Sequence, residues 1–280
     1  MQTGQPSRTA RAAAVHRAVH QVLEKGRIFA DPLALRILGE DAAALVRDAQ
    51  QNPHRRRMRI FIAARTRFAE DALGGALARG VRQFVVLGAG LDTFAYRNPF
   101  PSLRVFEVDF PATQEWKHAM LAEAAITSPA NLTFVPLDFE HKALAEGLAE
   151  AGFDAGRPAY FGWLGVVPYL TLDAFRATLS AIAQLPAGTA VSFDYAIAPE
   201  TLSPRGRMAF DALARRVASA GEPFQLFFTP QTLEAELRRA GFHRIEQLDS
   251  DHLNELYFKD RADGLKLSAV KLGMLVTAWM

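Results

Sequence analysis

The sequence contains no cysteine. Disulfides, thiolate metal sites and a cysteine nucleophile are thereby excluded together, and a reducing, cytoplasmic setting is the natural expectation. Long apolar runs are also missing: no stretch approaches the roughly 20 residues that a membrane span requires. The N-terminal stretch MQTGQPSRTARAAAVHRAVH is dotted with arginines and lacks the uninterrupted apolar core of a secretory signal. Charge of one sign is scarce as well. Lys plus Arg number 32 against 30 Asp plus Glu, a net +2, which gives no field to gather nucleic acid. The densest basic run, His54-Arg55-Arg56-Arg57-Met58-Arg59, is either a solvated helix face or a place that captures an acidic substrate. A small-molecule ligand, with neither nucleic acid nor membrane as partner, is what remains; the oligomeric state is not legible in composition.

What is present is ample core, with half of the 280 residues hydrophobic. From about Thr9 to Gly80 the apolar residues recur at helical spacing, broken at Asp31-Pro32 and Asn52-Pro53. Residues 1–80 are therefore expected to form a helical cap, and 81–280 a separate α/β unit. Beyond Val81 short apolar runs alternate with helical stretches: QFVVLGAG, RVFEVDF, LTFVPLDF, AYFGWLGVV and TAVSFDYA. That order predicts a parallel sheet covered on both faces. FHRIEQLDS and GMLVTAWM read as two closing strands joined by a polar loop around Asp260 to Gly264. The whole predicts a seven-stranded α/β sheet with an N-terminal helical cap. An insertion around 200–230, with Met208, Phe210, Phe224, Phe227 and Phe228, would cover the acceptor or simply join the core.

In such sheets ligands bind beyond the C-terminal strand ends. Gly88 and Gly90 end the first strand, where bare backbone lets a ligand lie close. A dinucleotide fingerprint requires a third glycine, and Thr93 stands there instead. Asp92 places a carboxylate where a pyrophosphate would sit, which disfavours a nicotinamide-dependent dehydrogenase and suits a cationic ligand. Asp109 closes the second strand 19 positions after Gly90, where an acid accepts from ribose hydroxyls; as a helix N-cap ahead of Pro111 it has a purely structural alternative. Asp138, beside Phe139, closes the third strand and would either bracket an adenine or cap a helix.

FVVLGAGLDTFAYR, FEVDFP and FVPLDF together resemble the leucine carboxyl methyltransferase family. AARTRF at 63–68, SFDYA, GEPF and YFKDRADGL extend the likeness over most of the chain. The resemblance implies a class I methyltransferase fold, a Rossmann-like sheet mostly parallel and ending in a C-terminal antiparallel hairpin, and S-adenosylmethionine as cofactor. It implies that Arg65 pairs with the methionine carboxylate and that Gly88, Ala89 and Gly90, with Asp92 next to them, line the methionine and ribose. Asp109 would hold the ribose, and Asp138 and Phe139 the adenine edge. Many relatives carry a fourth-strand glutamate where Leu164 stands, so one carboxylate contact on the cofactor side is lost.

For the acceptor side, Tyr169 and Tyr195 follow the fourth and fifth strands and would either position the acceptor or pack the cleft wall. His16 and His20 are four apart on one helix face. They lack the H-E-x-x-H context of a metal pair, and a cap helix would bring one of them, His20 in particular, to the acceptor. No metal is expected. An O-methyltransferase acting on a small-molecule acceptor, plausibly a carboxylate, is the reading; a cofactor-binding protein that transfers no methyl group is the alternative.

Overall fold

The computed structural model describes residues 7–138 and 142–280. Three helices precede the sheet: α1 (Arg8–Leu23), α2 (Ala42–Gln51) and α3 (Arg56–Ala78). Strands β1 (Gln83–Leu87), β2 (Arg104–Asp109), β3 (Leu132–Pro136), β4 (Tyr160–Trp163) and β5 (Ala190–Ile197) then alternate with helices α4 (Phe94–Arg97), α5 (Pro111–Glu123), α6 (Leu144–Glu150) and α7 (Leu172–Ala183). The chain closes with α8 (Pro204–Ser219), β6 (Phe227–Phe228), α9 (Pro230–Ala240), β7 (Arg244–Leu248), α10 (Ser250–Tyr257) and β8 (Gly273–Trp279).

The strand order is β3-β2-β1-β4-β5-β8-β7, parallel from β3 to β5, with β8 running antiparallel between β5 and β7. The eighth strand is β6, a two-residue parallel extension of the β5 tip through Ala196 and Phe227. It departs from the seven strands expected, because a strand of two residues has no period to read. The last two strands are also joined differently. Asp249 accepts from the backbone N–H groups of Asp251 and His252 and starts α10, so a helix stands where the sequence suggested only a polar loop.

Alternation along each strand sorts the side chains between two layers. Leu87, Val108, Phe161, Phe193 and Tyr195 pack with Phe175 and Leu179 of α7 and Leu233 of α9. On the opposite face Phe84, Val86 and Tyr160 meet Leu73 of α3 and Phe94 of α4, while Ile60 and Phe68 of α3 pack on Leu253 of α10 and Leu275 of β8. On β5 this parity sends Asp194 towards α3 and Tyr195 to the other side. No described helix is long and apolar enough to cross a membrane.

Candidate active site

The parallel strands end together on one rim, and a cavity of about 1130 Å³ opens there between the strand tips, α1, α3 and α8. The turn after β1 forms its floor. Gly88 and Gly90 have φ of +66° and +48°, the left-handed region that glycine tolerates. The amides of Gly88 and Ala89 donate to Val108 O at 2.8 and 3.2 Å, which ties the turn to β2. A Cβ on Gly88 would lie 2.4 Å from Val166 Cγ2, and one on Gly90 2.8 Å from Ala10 Cβ of α1. The turn is thus pressed between the loop after β4 and the first helix. Gly88→Ala is expected to lower the unfolding free energy by roughly 1–3 kcal/mol through overpacking, with a further φ penalty. In a Val166→Ala background the overpacking part returns and the φ part stays; urea unfolding of the four proteins reads both.

Asp109 stands at the tip of β2, as the sequence predicts. Its two carboxylate oxygens accept from Gly90 N at 2.5 Å and Phe110 N at 2.7 Å, leaving lone pairs on both. Burial raises its pKa, against the two backbone donors. Asp92 borders the cavity and accepts from Phe94 N. Burial pushes its pKa up, but Arg17, Arg97 and Lys117 outweigh it and hold the carboxyl below the usual range. Asp138 and Leu164 border the same space at the ends of β3 and β4. Phe139 and His141 lie outside the described residues.

Arg65 reaches the cavity from α3. Its Nη1 lies 2.9 Å from Asp194 Oδ2, and Asp194 Oδ1 accepts from Gly165 N at 2.6 Å. Arg65 Nε is buried and has no hydrogen-bond partner, so the guanidinium keeps an unmet donor. Sequence reasoning missed Asp194 and chose its neighbour Tyr195. The Tyr195 hydroxyl is turned to the opposite face of the sheet, where it donates to Gln247 Oε1 at 2.6 Å. That bond ties the hydroxyl to β7, while the residue also borders the cavity.

Tyr169 does border the cavity, its ring 5.2 Å from that of Phe224 at a 45° tilt, and burial pushes its hydroxyl up to about 12. Between the two histidines the geometry reverses the expectation. His20 is fully buried, with Nδ1 3.2 Å from Glu24, a carboxylate that also holds Arg59 at 2.7 Å. It does not reach the cavity; His16, one turn earlier, does. Burial, then Arg59, Arg55, Arg216 and Arg65, bring His16 down to about 4, so at neutral pH it is uncharged.

The roof is α1 joined to the segment after α8. Glu222 accepts from Ser7 Oγ at 3.2 Å, from the amides of Arg8 and Thr9 at 3.0 and 3.3 Å, and from Thr9 Oγ1. The two amides are orphan donors of the α1 N-terminus, satisfied by a carboxylate where the dipole favours one. Phe210 of α8 is buried and lines the cavity, whereas Met208 is 74% exposed.

Residues 10–183 match the family model described as leucine carboxyl methyltransferase. The Bacillus subtilis (strain 168) protein YktD, named an S-adenosyl-L-methionine-dependent methyltransferase, is 38% identical over 207 residues, 72% of this chain and 67% of that protein. A similarly named protein of Mycolicibacterium vanbaalenii is 36% identical over 202 residues, 70% of this chain and 65% of its own. One from Mycobacterium avium (strain 104) is 36% identical over 149 residues, 52% and 47%. The chain thus spans about half to two thirds of these relatives' length. Among solved structures, a Thermobifida fusca protein named a methyltransferase superposes with a TM-score of 0.60 at 21% identity, covering 99% of this chain and 96% of that one. A DUF574 family protein of Streptomyces avermitilis gives 0.57 at 17%, with 96% of each chain covered. At such identities the likeness establishes the fold.

Proposed function

Since the chain belongs to the leucine carboxyl methyltransferase family, we propose that it binds S-adenosylmethionine and transfers a methyl group to an oxygen of a small-molecule acceptor, a carboxylate. The observation that carries this reading is the convergence of the glycine turn, Asp109 and Arg65 in one cavity. Gly88 and Gly90 line the cavity where a nucleoside would lie; the free lone pairs of Asp109 suit ribose hydroxyls; the Arg65 guanidinium suits a carboxylate. Asp138, which borders the cavity, would take the adenine edge. When bound, the cofactor supplies a methyl group activated by its own sulfonium charge.

The chain's part is then alignment, which is worth roughly 7–11 kcal/mol where reactants are well oriented. Burying the acceptor under α1 and α8 excludes water. The choice of a carboxylate rests on His16. Burial first, and then Arg59, Arg55, Arg216 and Arg65, keep His16 unprotonated, and these arginines add positive charge around the same space, although Arg59, Arg55 and Arg65 also hold carboxylates. An anionic acceptor gains from that charge. A phenol, with a pKa of about 10, would want a base near neutral pH, and a histidine held down to about 4 is a poor one. Tyr169 and His16 become positioning groups at the acceptor end.

Calorimetric titration with S-adenosylhomocysteine, followed by mass spectrometry of reactions with aliphatic and aromatic acids, tests this reading. Saturable binding and methyl esters are expected. No binding at millimolar ligand rejects the cofactor assignment. Binding without any methyl ester would favour a sensor or a repurposed enzyme of the same fold, the alternative that Leu164 motivates.

A further inference from the structure

The basic run singled out in the sequence is used unevenly. Arg55 pairs with Asp48 at 2.5 Å, while Arg56 and Arg59 both reach Glu24, at 3.6 and 2.7 Å. Arg57 has no hydrogen bond or ion pair with any described residue, and it borders the main cavity. A second cavity, of about 530 Å³, adjoins the first; Arg57, Ala209, Ser268 and Val270 line both. Its other wall carries Arg205 and Met208. Arg205 likewise has no partner among the described residues.

Both arginines stand second in their helices, α3 and α8, and neither first turn contains an acid. A cation there opposes the helix dipole. Two like charges therefore face one small space from unfavourable helix ends, and no described carboxylate offsets them. Between them Met208, Ala209 and Val270 offer an apolar wall.

We propose that this vestibule is a second anion subsite of the acceptor site. The acceptor is an elongated amphiphile, with its reacting carboxylate at the His16 end and a second anionic group held by Arg57 and Arg205, as in a long α,ω-dicarboxylic acid. The inner end of this assignment rests on the carboxylate reading above; the vestibule rests on its own unpaired charges.

Straight-chain α,ω-dicarboxylates and monoacids of matched length, titrated into the protein saturated with S-adenosylhomocysteine, test the proposal. Diacids are expected to bind more tightly than monoacids, and added salt to erode the difference. Arg57→Ala/Arg205→Ala should weaken the diacid by roughly tenfold per arginine lost and leave the monoacid within about twofold. Arg57→Lys/Arg205→Lys should retain most of the diacid affinity. Both arginines are exposed and stand at unfavourable helix ends, so the urea midpoint should not fall, which separates lost binding from lost folding. Equal affinity of diacid and monoacid, equal weakening of both, or no diacid binding at all would overturn the subsite. Diacid binding that depends on both arginines, without any methyl ester, upholds the subsite and rejects the carboxylate-acceptor reading instead.

Discussion

Asp194→Ala lowers the unfolding free energy by about 3–5 kcal/mol, the cost of leaving a buried charge without its partner. The Arg65 and Asp194 side chains are each 10% exposed, and the contact is 2.9 Å, so screening by water is slight. The substitution also frees the amide of Gly165, which Asp194 holds at 2.6 Å, and with it the turn beside Leu164. Asp194→Asn keeps an acceptor for Gly165 and removes only the charge, so it should fall between wild type and alanine. A structural ion pair alone would end the account there. The proposed role of Arg65 adds a second expectation. In Asp194→Ala the guanidinium is free to take a ligand carboxylate, so saturating S-adenosylhomocysteine should recover part of the loss. 5′-Methylthioadenosine, which has the nucleoside without the amino-acid carboxylate, should stabilise variant and wild type alike. Ligand stabilisation follows the ratio of ligand concentration to Kd, so urea unfolding with each ligand measures the difference directly. Equal rescue by both ligands removes Arg65 from the carboxylate site.

That Asp194 escaped sequence reasoning, while Asp109 did not, has a physical cause. Gly88, Gly90 and Asp109 occupy places where the backbone itself demands particular residues: positive φ at two of them, and two unpaired amides at the third. Such demands leave marks in the sequence. Asp194 sits inside a strand buried along its whole length, where both faces read as apolar and parity has no polar side to anchor it. Which of Asp194 and Tyr195 faces α3 follows from the register of β5 against β8, where Asp194 opposes Leu275. His16 and His20 pose the same problem on a helix. One turn apart, they share a face, and only the docking of α3 decides between them, because Arg59 and Glu24 close around His20. The alternating sheet was legible since buried parallel strands are short apolar runs between helices. The capping signal of α10, Asp249 ahead of Ser250, was present too. It was obscured by the alternation of FHRIEQL, which runs straight into it.

Beneath the glycine turn lies the other ion pair whose loss should be large. Lys117 and Glu107 are each 1% exposed; Lys117 Nζ lies 2.5 Å from Glu107 Oε2 and 2.7 Å from Asp92 O. The second carboxylate oxygen of Glu107 has no partner, and burial lifts its pKa from 4.5 to about 7 in spite of Lys117. Lys117→Met keeps the volume and leaves that carboxylate alone, so a loss of about 3–5 kcal/mol is expected at pH 8. The sign of the pH dependence follows from linkage. A carboxyl whose pKa is raised by folding binds more protons in the folded state between its unfolded and folded values, so stability falls as pH rises across that window. In the wild type the window runs from 4.5 to about 7. Without Lys117 it extends higher, so the deficit of the variant should be small near pH 5 and grow past pH 7. Glu107→Gln/Lys117→Met removes both charges and should lie close to the wild type, with this pH dependence gone. Because Lys117 also fixes the carbonyl of Asp92, the single variant should bind S-adenosylhomocysteine more weakly even at pH 5, where the fold is nearly intact. Urea unfolding of the three proteins between pH 5 and 8 decides the matter: a deficit that stays flat across that range would show that Glu107 is already charged at pH 5 and that Lys117 serves only to hold the turn.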